Sequence, residues 1–344
     1  MEFKKNRYDP QKMLSYNRIL NMVIGARGYG KSFAMKKYVI DRAIKHKEMF
    51  MLVRRTKDDI KESVETYFND IRMYYPDKTL LVKGKKFYCD GELIGVAVPL
   101  TRWQSIKSSA YPDVTTMIYD EFLKEKDFTQ YIPNEPTALL NLIDTVRRDR
   151  DNFRCVCLSN STSVTNPYFL YFGLQLQKHK VDNTYKRYNT FPKNSEILVE
   201  KPDAKDYIEE KKSTSRFYQM IKDTKYAEMA VENEFTEDDP TFIERKSKNS
   251  KYKFTLLYDG LAYGYWLDIN EGKLYVSYKH DPKSKLIFAL TTSDQNDNVY
   301  LLNNWRKNYW ICELVRALQN GYLRYDSQTV KNTHMKIFKK MNIQ

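Results

Sequence analysis

Short apolar runs alternate with helical patterns through the first part of the chain. The runs RILNMVI (18–24), EMFMLVRR (48–55), TTMIYDEF (115–122) and FRCVCLSN (153–160) are nearly continuous, as expected of strands buried on both faces. Between them, apolar residues recur at helical spacing after Lys31, after Thr56 and over 136–148. This alternation predicts a mostly parallel sheet of about four or five strands with right-handed crossovers.

Turn and capping residues refine these boundaries. Thr56, followed three residues later by Asp59, predicts the N-cap of a helix that runs to about Tyr74. Residues 79–100 predict a hairpin excursion, because turn residues stand at Lys83-Gly84 and again at Asp90-Gly91.

The pattern changes near residue 200. Residues 201–232 are charged and carry only short helical patterns, which predicts a helical linker. From Thr241 on, alternating strands precede a helix over about Val299–Asn320, a short strand and a final helix, the element order of a ribonuclease H-like fold. We therefore predict an α/β domain over 1–200, the linker, and a smaller α/β domain over 233–344.

Charge adds a candidate partner to this architecture. The net charge is +14, and excess cation attracts polyanions, so nucleic acid is the first partner to consider; a basic protein without such a partner is the alternative. The four cysteines form no metal-binding pattern and are expected as small buried side chains. Neither a signal peptide nor an apolar run of about 18 residues is found, so we expect a reducing, cytosolic compartment and no membrane partner.

GARGYGKS (25–32) supplies the first candidate chemistry. It fits G-x-x-x-x-G-K-[ST] and lies between a buried strand and a helix, where a phosphate-binding loop must lie. Glycines allow backbone N–H groups to surround phosphates, and the helix N-terminus adds its dipole. The alternative is a glycine turn that only opens a helix. The predicted binding residues are Gly25, Arg27, Gly28, Gly30, Lys31 and Ser32, with Lys31 on the β and γ phosphates of ATP and Ser32 on Mg²⁺.

A pair of acids ends the strand TTMIYDEF. Asp120 is predicted to hold Mg²⁺ together with Ser32, and Glu121 is predicted to orient and polarise the attacking water. The alternative is that the two acids lie in a solvated turn and have no role in catalysis. Glu121 favours a hydrolysing ATPase over a P-loop kinase, which needs no base for water.

Polar residues elsewhere complete the candidate nucleotide site. Asn160, after the strand FRCVCL, is predicted to contact the γ-phosphate or the water, with a helix-capping role as the alternative. Gln11 is a candidate for the adenine edge. Arg148, one of three arginines that end the helix after Glu121, is a candidate donor to a neighbouring subunit's γ-phosphate, although cations also stabilise a helix C-terminus.

Several lysines are candidate contacts to DNA phosphates. They are Lys57, Lys83, Lys85, Lys86, Lys124 and Lys126. Such contacts give affinity without reading sequence, and each lysine alone is more often a solvated side chain than a phosphate contact.

Carboxylates in the second predicted domain raise the possibility of a nuclease. Asp259, Asp268 and Asp326 lie at predicted strand ends, but none lies in the middle of the first strand, where a two-metal nuclease would need a ligand. A P-loop ATPase with a nuclease or recombination role therefore stays the alternative function.

Longer phrases of the sequence resemble one family. KMLSYNRILNMVIGARGYGKS, VRRTK, YDEFLKEKD, YIPNEPTALLNLIDTVRRDR, CLSNSTSVTNPYF and NGYLRYD are similar to the DNA-packaging (encapsidation) ATPases of small Picovirinae-type podophages. The likeness runs over nearly the whole chain and is densest over 8–173.

The resemblance implies an ASCE-division P-loop ATPase whose homopentameric ring drives double-stranded DNA through the portal vertex of a procapsid. It also implies an inactive ribonuclease H-like C-terminal domain, a location in the host cytoplasm and transiently on the procapsid, and in some members a packaging RNA. By the same resemblance, Arg148 matches a trans-acting arginine finger, and Lys57 a residue near the subunit interface or DNA.

Overall fold

The first part of the computed structural model is built on a nine-stranded mixed sheet. The described residues are 6–107, 109–124, 131–160, 165–174, 176, 180–181, 184–185, 187–190, 196–224 and 241–343. The chain divides into two units, residues 1–237 and 238–344.

The described residues of the first unit form the following strands and helices. Its strands are β1 Leu20–Gly25, β2 Met49–Arg54, β3 Leu80–Lys83, β4 Lys86–Cys89, β5 Glu92–Pro99, β6 Val114–Asp120, β7 Arg154–Asn160, β8 Lys180–Val181, β9 Thr184–Tyr185, β10 Tyr188–Thr190 and β11 Ile197–Glu200. Its helices are α1 Gln11–Ser15, α2 Lys31–His46, α3 Lys57–Glu65, α4 Glu135–Arg147, α5 Pro167–Tyr171, α6 Lys205–Thr214 and α7 Arg216–Ile221.

The sheet order explains the apolar runs. The order is β10-β11-β1-β7-β6-β2-β5-β4-β3, while β8 and β9 pair only with each other. The six strands from β11 to β5 are parallel, and the outer strands are antiparallel. Neighbouring β1 residues face opposite cores: Val23 packs with Ile40 of α2, and Met22 with Leu139 of α4. The predicted α/β class with a mostly parallel sheet is confirmed, although the sheet is wider than expected.

Two of the predicted details in the first unit have different outcomes. The Thr56–Asp59 capping box is confirmed, with the side chain of each residue bonded to the backbone N–H of the other. The helix that follows is shorter than predicted, because α3 ends at Glu65 and only a short 3₁₀ turn covers Arg72–Tyr74.

The described part of the predicted linker, 201–224, belongs to the first unit. It contains α6 and α7, and Tyr207 of α6 packs in the core together with Tyr29. This segment therefore takes part in the packing of the first unit.

The second unit contains a six-stranded mixed sheet of order β16-β15-β12-β13-β14-β17. Its strands are β12 Lys251–Tyr258, β13 Leu261–Asp268, β14 Lys273–Ser277, β15 Ile287–Ala289, β16 Tyr300–Leu301 and β17 Leu323–Tyr325, and its helices are α8 Tyr309–Gln319 and α9 Gln328–Lys340. The helix predicted from Val299 begins instead at Tyr309, where the Asn308 side chain accepts a hydrogen bond from the Ile311 N–H. The ribonuclease H-like assignment of this unit stays a prediction.

No helix within the described ranges is long and apolar enough to cross a membrane.

Candidate nucleotide site

The glycine-rich turn joins β1 to α2. Gly25 is the last residue of β1, and Lys31 is the first residue of α2. Gly28 and Gly30 have φ values of 76° and 95°, a region that residues with a Cβ rarely adopt. A Cβ on Gly28 would also lie 2.7 Å from the Tyr207 hydroxyl. The glycines are therefore required by the fold of the loop itself, and the loop opens onto a helix N-terminus as predicted.

Lys31 points back into this loop. Its ammonium donates to the carbonyl oxygens of Gly25 at 2.9 Å and Ala26 at 2.7 Å, and it lies 3.5 Å from Oδ1 of Asn160. Burial lowers the pKa of Lys31 to about 8, an effect that the nearby Asp120 carboxylate partly opposes. The fold thus brings Lys31 and Asn160 together and holds a buried amine inside the glycine-rich loop.

Asp120 and Ser32 meet at the carboxyl end of the sheet. The Ser32 hydroxyl donates to Oδ1 of Asp120 at 3.0 Å. Burial raises the pKa of Asp120, whereas Arg54 and the Ser32 hydrogen bond act to lower it. A hydroxyl and a carboxylate in contact are oxygen donors of the kind that Mg²⁺ prefers, so these two residues fit the predicted metal site.

Glu121 follows directly and is bound by an arginine that sequence reasoning did not single out. Its carboxylate lies 2.7 Å from Nη2 of Arg54, and Nη1 of Arg54 is 3.7 Å from Asp120. Glu121 has a left-handed φ of 59°, and its side chain is exposed. Arg54 is the last residue of β2, and β2 is the neighbour of β6 in the sheet. The sequence could have predicted this pair, because an arginine at the end of one strand and acids at the end of the neighbouring strand lie at the same edge of a parallel sheet.

The other predicted nucleotide contacts lie around the same loop. The Arg27 side chain is exposed, and its carbonyl accepts a hydrogen bond from the Tyr207 hydroxyl at 3.2 Å. Gln11 is exposed on α1, and Tyr8 just before it donates its N–H to the Tyr29 carbonyl. Tyr207 and Tyr8, which contact the loop backbone, were also missed by the sequence reasoning.

Arg148 is not brought to this site. It caps α4 with a φ of 44°, is exposed, and donates to the Ser109 carbonyl at 3.1 Å. A crossover between two parallel strands runs back to their amino ends, so the 13-residue helix α4 carries Arg148 about 20 Å from the carboxyl edge. Arg150, in contrast, is bound to the carbonyls of Tyr111, Pro112 and Val114.

The candidate DNA lysines lie along the carboxyl edge of the sheet, with different distances from the loop. Lys57 begins α3 just after β2, and Lys124 follows the Glu121 turn. Lys83, Lys85 and Lys86 are exposed at the tip of the β3–β4 hairpin. The hairpin strands β4 and β3 are five and six strands from β1, roughly 24 and 29 Å away. Lys126 lies outside the described residues.

Asp268, one of the candidate carboxylates of the second unit, has local hydrogen-bond partners. Asp268 accepts hydrogen bonds from the backbone N–H groups of Asn270 and Glu271 and from the Ser247 hydroxyl. Within the ranges that the structure describes, no three His, Cys, Asp or Glu side chains are grouped so as to hold a metal ion.

The open, mostly parallel sheet and its glycine-rich turn place the first unit among α/β proteins of the P-loop class. Residues 3–343 match the model of the podovirus DNA encapsidation protein (Gp16) family, and the chain belongs to that family.

Relatives and solved structures agree with this assignment. The DNA packaging protein of Bacillus phage phi29 is 50% identical over 337 residues, which cover 98% of each chain. A chain in the bacteriophage phi29 viral genome packaging motor assembly is 49% identical with a TM-score of 0.80, covering 98% of this chain and 100% of that one. The crystal structure of the N-terminal domain of the phi29 DNA packaging ATPase is 55% identical with a TM-score of 0.52, covering 58% of this chain and 98% of that one. The predicted family and its role in viral genome packaging are confirmed.

Proposed function

We propose that the protein is an ATP-hydrolysing ring motor that moves double-stranded DNA into a viral procapsid. The observation that carries the proposal is the convergence of Lys31, Ser32, Asp120 and Asn160 on one glycine-rich loop, in a chain of the DNA encapsidation family. A relative of 55% identity over part of the chain is named a DNA packaging ATPase.

In the proposed site, the loop N–H groups and Lys31 bind the phosphates of ATP. The Lys31 ammonium donates hydrogen bonds to two carbonyl oxygens of the loop. Phosphate oxygens would replace these acceptors in the proposed complex and form stronger, charge-assisted hydrogen bonds. Ser32 and Asp120 would hold Mg²⁺, which neutralises charge on the β and γ phosphates when bound.

Glu121 is the proposed residue that orients and polarises water. Its carboxylate is paired with Arg54 at 2.7 Å, so a guanidinium N–H occupies the carboxylate where the attacking water would have to bind. Glu121 therefore has to leave Arg54 before hydrolysis, which separates a resting arrangement of the site from a reactive one.

A ring supplies what one subunit lacks. Arg148 lies at the opposite end of α4 from the Glu121 turn, which supports a role toward another subunit rather than toward its own site. We propose a homopentamer at the portal vertex in the host cytoplasm, with a packaging RNA as a further partner in the manner of some members. Lys57, Lys124 and the hairpin lysines would face the DNA backbone, because they share one edge of the sheet.

The experiment that tests this function measures ATP hydrolysis with and without double-stranded DNA over a range of protein concentrations. We expect phosphate release that rises with DNA and more steeply than linearly with protein, because sites are completed between neighbours. A small-molecule kinase would instead form a phosphorylated product. Turnover that is proportional to protein and indifferent to DNA would contradict the proposal.

Replacing Arg148 with alanine is expected to lower ATP turnover by about 10³-fold while each subunit still binds nucleotide, since an arginine finger is worth that much. Arg147→Ala is the matched control, because Arg147 bonds to Asp151 and to the Arg150 carbonyl of its own chain. Turnover should return when Arg148→Ala and Glu121→Gln subunits are mixed, since each supplies what the other lacks. A mixture that stays inactive would show that Arg148 does not act between subunits.

The pKa of Lys31 predicts a pH dependence of nucleotide binding. Without nucleotide, the pKa of the Lys31 ammonium is about 8. Bound phosphates would raise this pKa, so nucleotide binding is accompanied by proton uptake when the pH is near or above 8. Affinity for a non-hydrolysable ATP analogue should be about tenfold weaker at pH 9 than at pH 7, and about half a proton should be taken up at pH 8. Calorimetry in buffers of different ionisation enthalpy measures this uptake. Its absence at pH 8 would mean that Lys31 does not bind the phosphates.

A further inference from the structure

A buried ion pair lies beneath the Glu121 turn. Arg55, the residue after β2, and Glu135, the first residue of α4, have side chains that are 6% and 0% exposed. The two side chains form a bidentate pair, with both nitrogen–oxygen distances 2.9 Å. Glu135 also accepts hydrogen bonds from the hydroxyls of Tyr119 at 2.8 Å and Tyr168 at 2.6 Å. Both charges are therefore fully compensated inside the unit.

The guanidinium of Arg55 reaches beyond its carboxylate partner. Nη2 donates to the carbonyl oxygen of Phe122 at 2.7 Å, and Nη1 donates to that of Glu121 at 3.3 Å. The ladder between β6 and β2 ends at Tyr119, so these two carbonyls lie past the last strand pairing with β2. The Arg55 side chain thus donates hydrogen bonds to the segment after β6, beyond the last backbone hydrogen bonds between β2 and β6.

The backbone at this turn needs such a support. Glu121 adopts a left-handed φ of 59°, a conformation that costs free energy in a residue with a Cβ and persists only where surrounding contacts enforce it. On the other side of the turn, the Phe122 N–H donates to the Leu158 carbonyl of β7. Arg55 and β7 therefore hold the turn from both neighbouring strands, and the side chain of Glu121 takes its direction from that backbone.

We propose that Arg55 and Glu135 are positioning residues for ATP hydrolysis, holding the Glu121 turn so that its carboxylate can reach the attacking water. The inference rests on the proposed function of the site. A buried pair with only a structural role can often be replaced by uncharged side chains without loss, whereas a positioning pair cannot be replaced without loss of turnover.

Two variants test the pair. Arg55→Met with Glu135→Gln removes both charges together and leaves an amide oxygen for the hydroxyls of Tyr119 and Tyr168. Arg55→Lys keeps the charge, but a single ammonium lacks the planar fork that serves a carboxylate and two carbonyls at once. In both variants we expect kcat to fall by about tenfold to hundredfold, with the Kd of a non-hydrolysable ATP analogue within about threefold of wild type. If the double variant does not fold, Arg55→Lys decides.

The control changes a more exposed arginine–glutamate pair, whose side chains are 37% and 22% exposed, near the amino end of β2. Arg42 and Glu48 pair at the amino end of β2, and Glu48 also accepts a hydrogen bond from Thr115 of β6. Arg42→Met with Glu48→Gln makes the same chemical change far from the turn, and its kcat should stay within twofold of wild type.

A double-mutant cycle separates positioning from general damage. The double variant Arg55→Lys with Glu121→Gln should have a single-turnover rate less than twofold below that of Glu121→Gln alone. The reason is that the Arg55–Glu135 pair is proposed to act through Glu121, which this background has already lost. A wild-type kcat in both pair variants, or a full additional loss on the Glu121→Gln background, would overturn the positioning role. Equal turnover of wild type and Glu121→Gln would instead refute the role proposed for Glu121, and a wild-type protein that hydrolyses no ATP would refute the proposed function itself.

Discussion

Glu121→Gln is expected to lower ATP turnover by about 10²- to 10⁴-fold, the usual contribution of a positioned acid–base group, while nucleotide still binds. The amide keeps the size of the side chain but cannot accept a proton from water. Phosphate release measured beside the Kd of a labelled ATP analogue separates the two effects.

Glu62→Gln on α3 is the control for this substitution, because it makes the same change at an exposed position outside the site. Its turnover should equal that of wild type. Should Glu121→Gln hydrolyse ATP at the wild-type rate, another group activates the water and the role assigned to Glu121 is wrong.

Lys31→Ala is expected to weaken nucleotide binding by at least about 100-fold, because charge-assisted hydrogen bonds of about 1.5–3 kcal/mol each are lost. The substitution also leaves the buried carbonyls of Gly25 and Ala26 without the donor that they have now. Equilibrium binding of a fluorescent ATP analogue with Mg²⁺ measures the loss, and thermal unfolding shows whether the loop remains folded.

Lys45→Ala provides the comparison on the same helix, since Lys45 is exposed in the last turn of α2. Its nucleotide affinity should not change. Equal affinities for Lys31→Ala and Lys45→Ala would place the phosphates elsewhere in the molecule.

Local patterns predicted the parts of the site that are contiguous in sequence. The strand, the glycines and the helix of 25–32 follow one another, so spacing and backbone chemistry are enough to place the loop. The Thr56–Asp59 capping box is equally local. The position of Asp120 and Glu121 at the sheet edge was predictable because they directly follow a buried strand.

Contacts between distant segments were beyond such patterns. Arg55 pairs with Glu135, 80 residues later, and nothing local distinguishes a buried charge from a solvated one. The hydrogen bond from the Tyr207 hydroxyl to the Arg27 carbonyl depends in the same way on how residues 201–224 fold back onto the loop. The sequence did not predict the width of the sheet, because β10, β11 and the hairpin strands join it by pairing with strands that are distant in sequence. Such pairing produces no periodic pattern of hydrophobic residues.

A crystal structure with Mg²⁺ and a non-hydrolysable ATP analogue is the most direct test of the proposed nucleotide site, because it shows where the triphosphate binds. We expect the triphosphate within the loop Gly25–Ser32, Lys31 moved from its carbonyls onto the phosphates, and Mg²⁺ beside Ser32 and Asp120. Nucleotide bound elsewhere, or a loop that stays empty at saturating analogue, would contradict the assignment of this turn as the site of ATP hydrolysis.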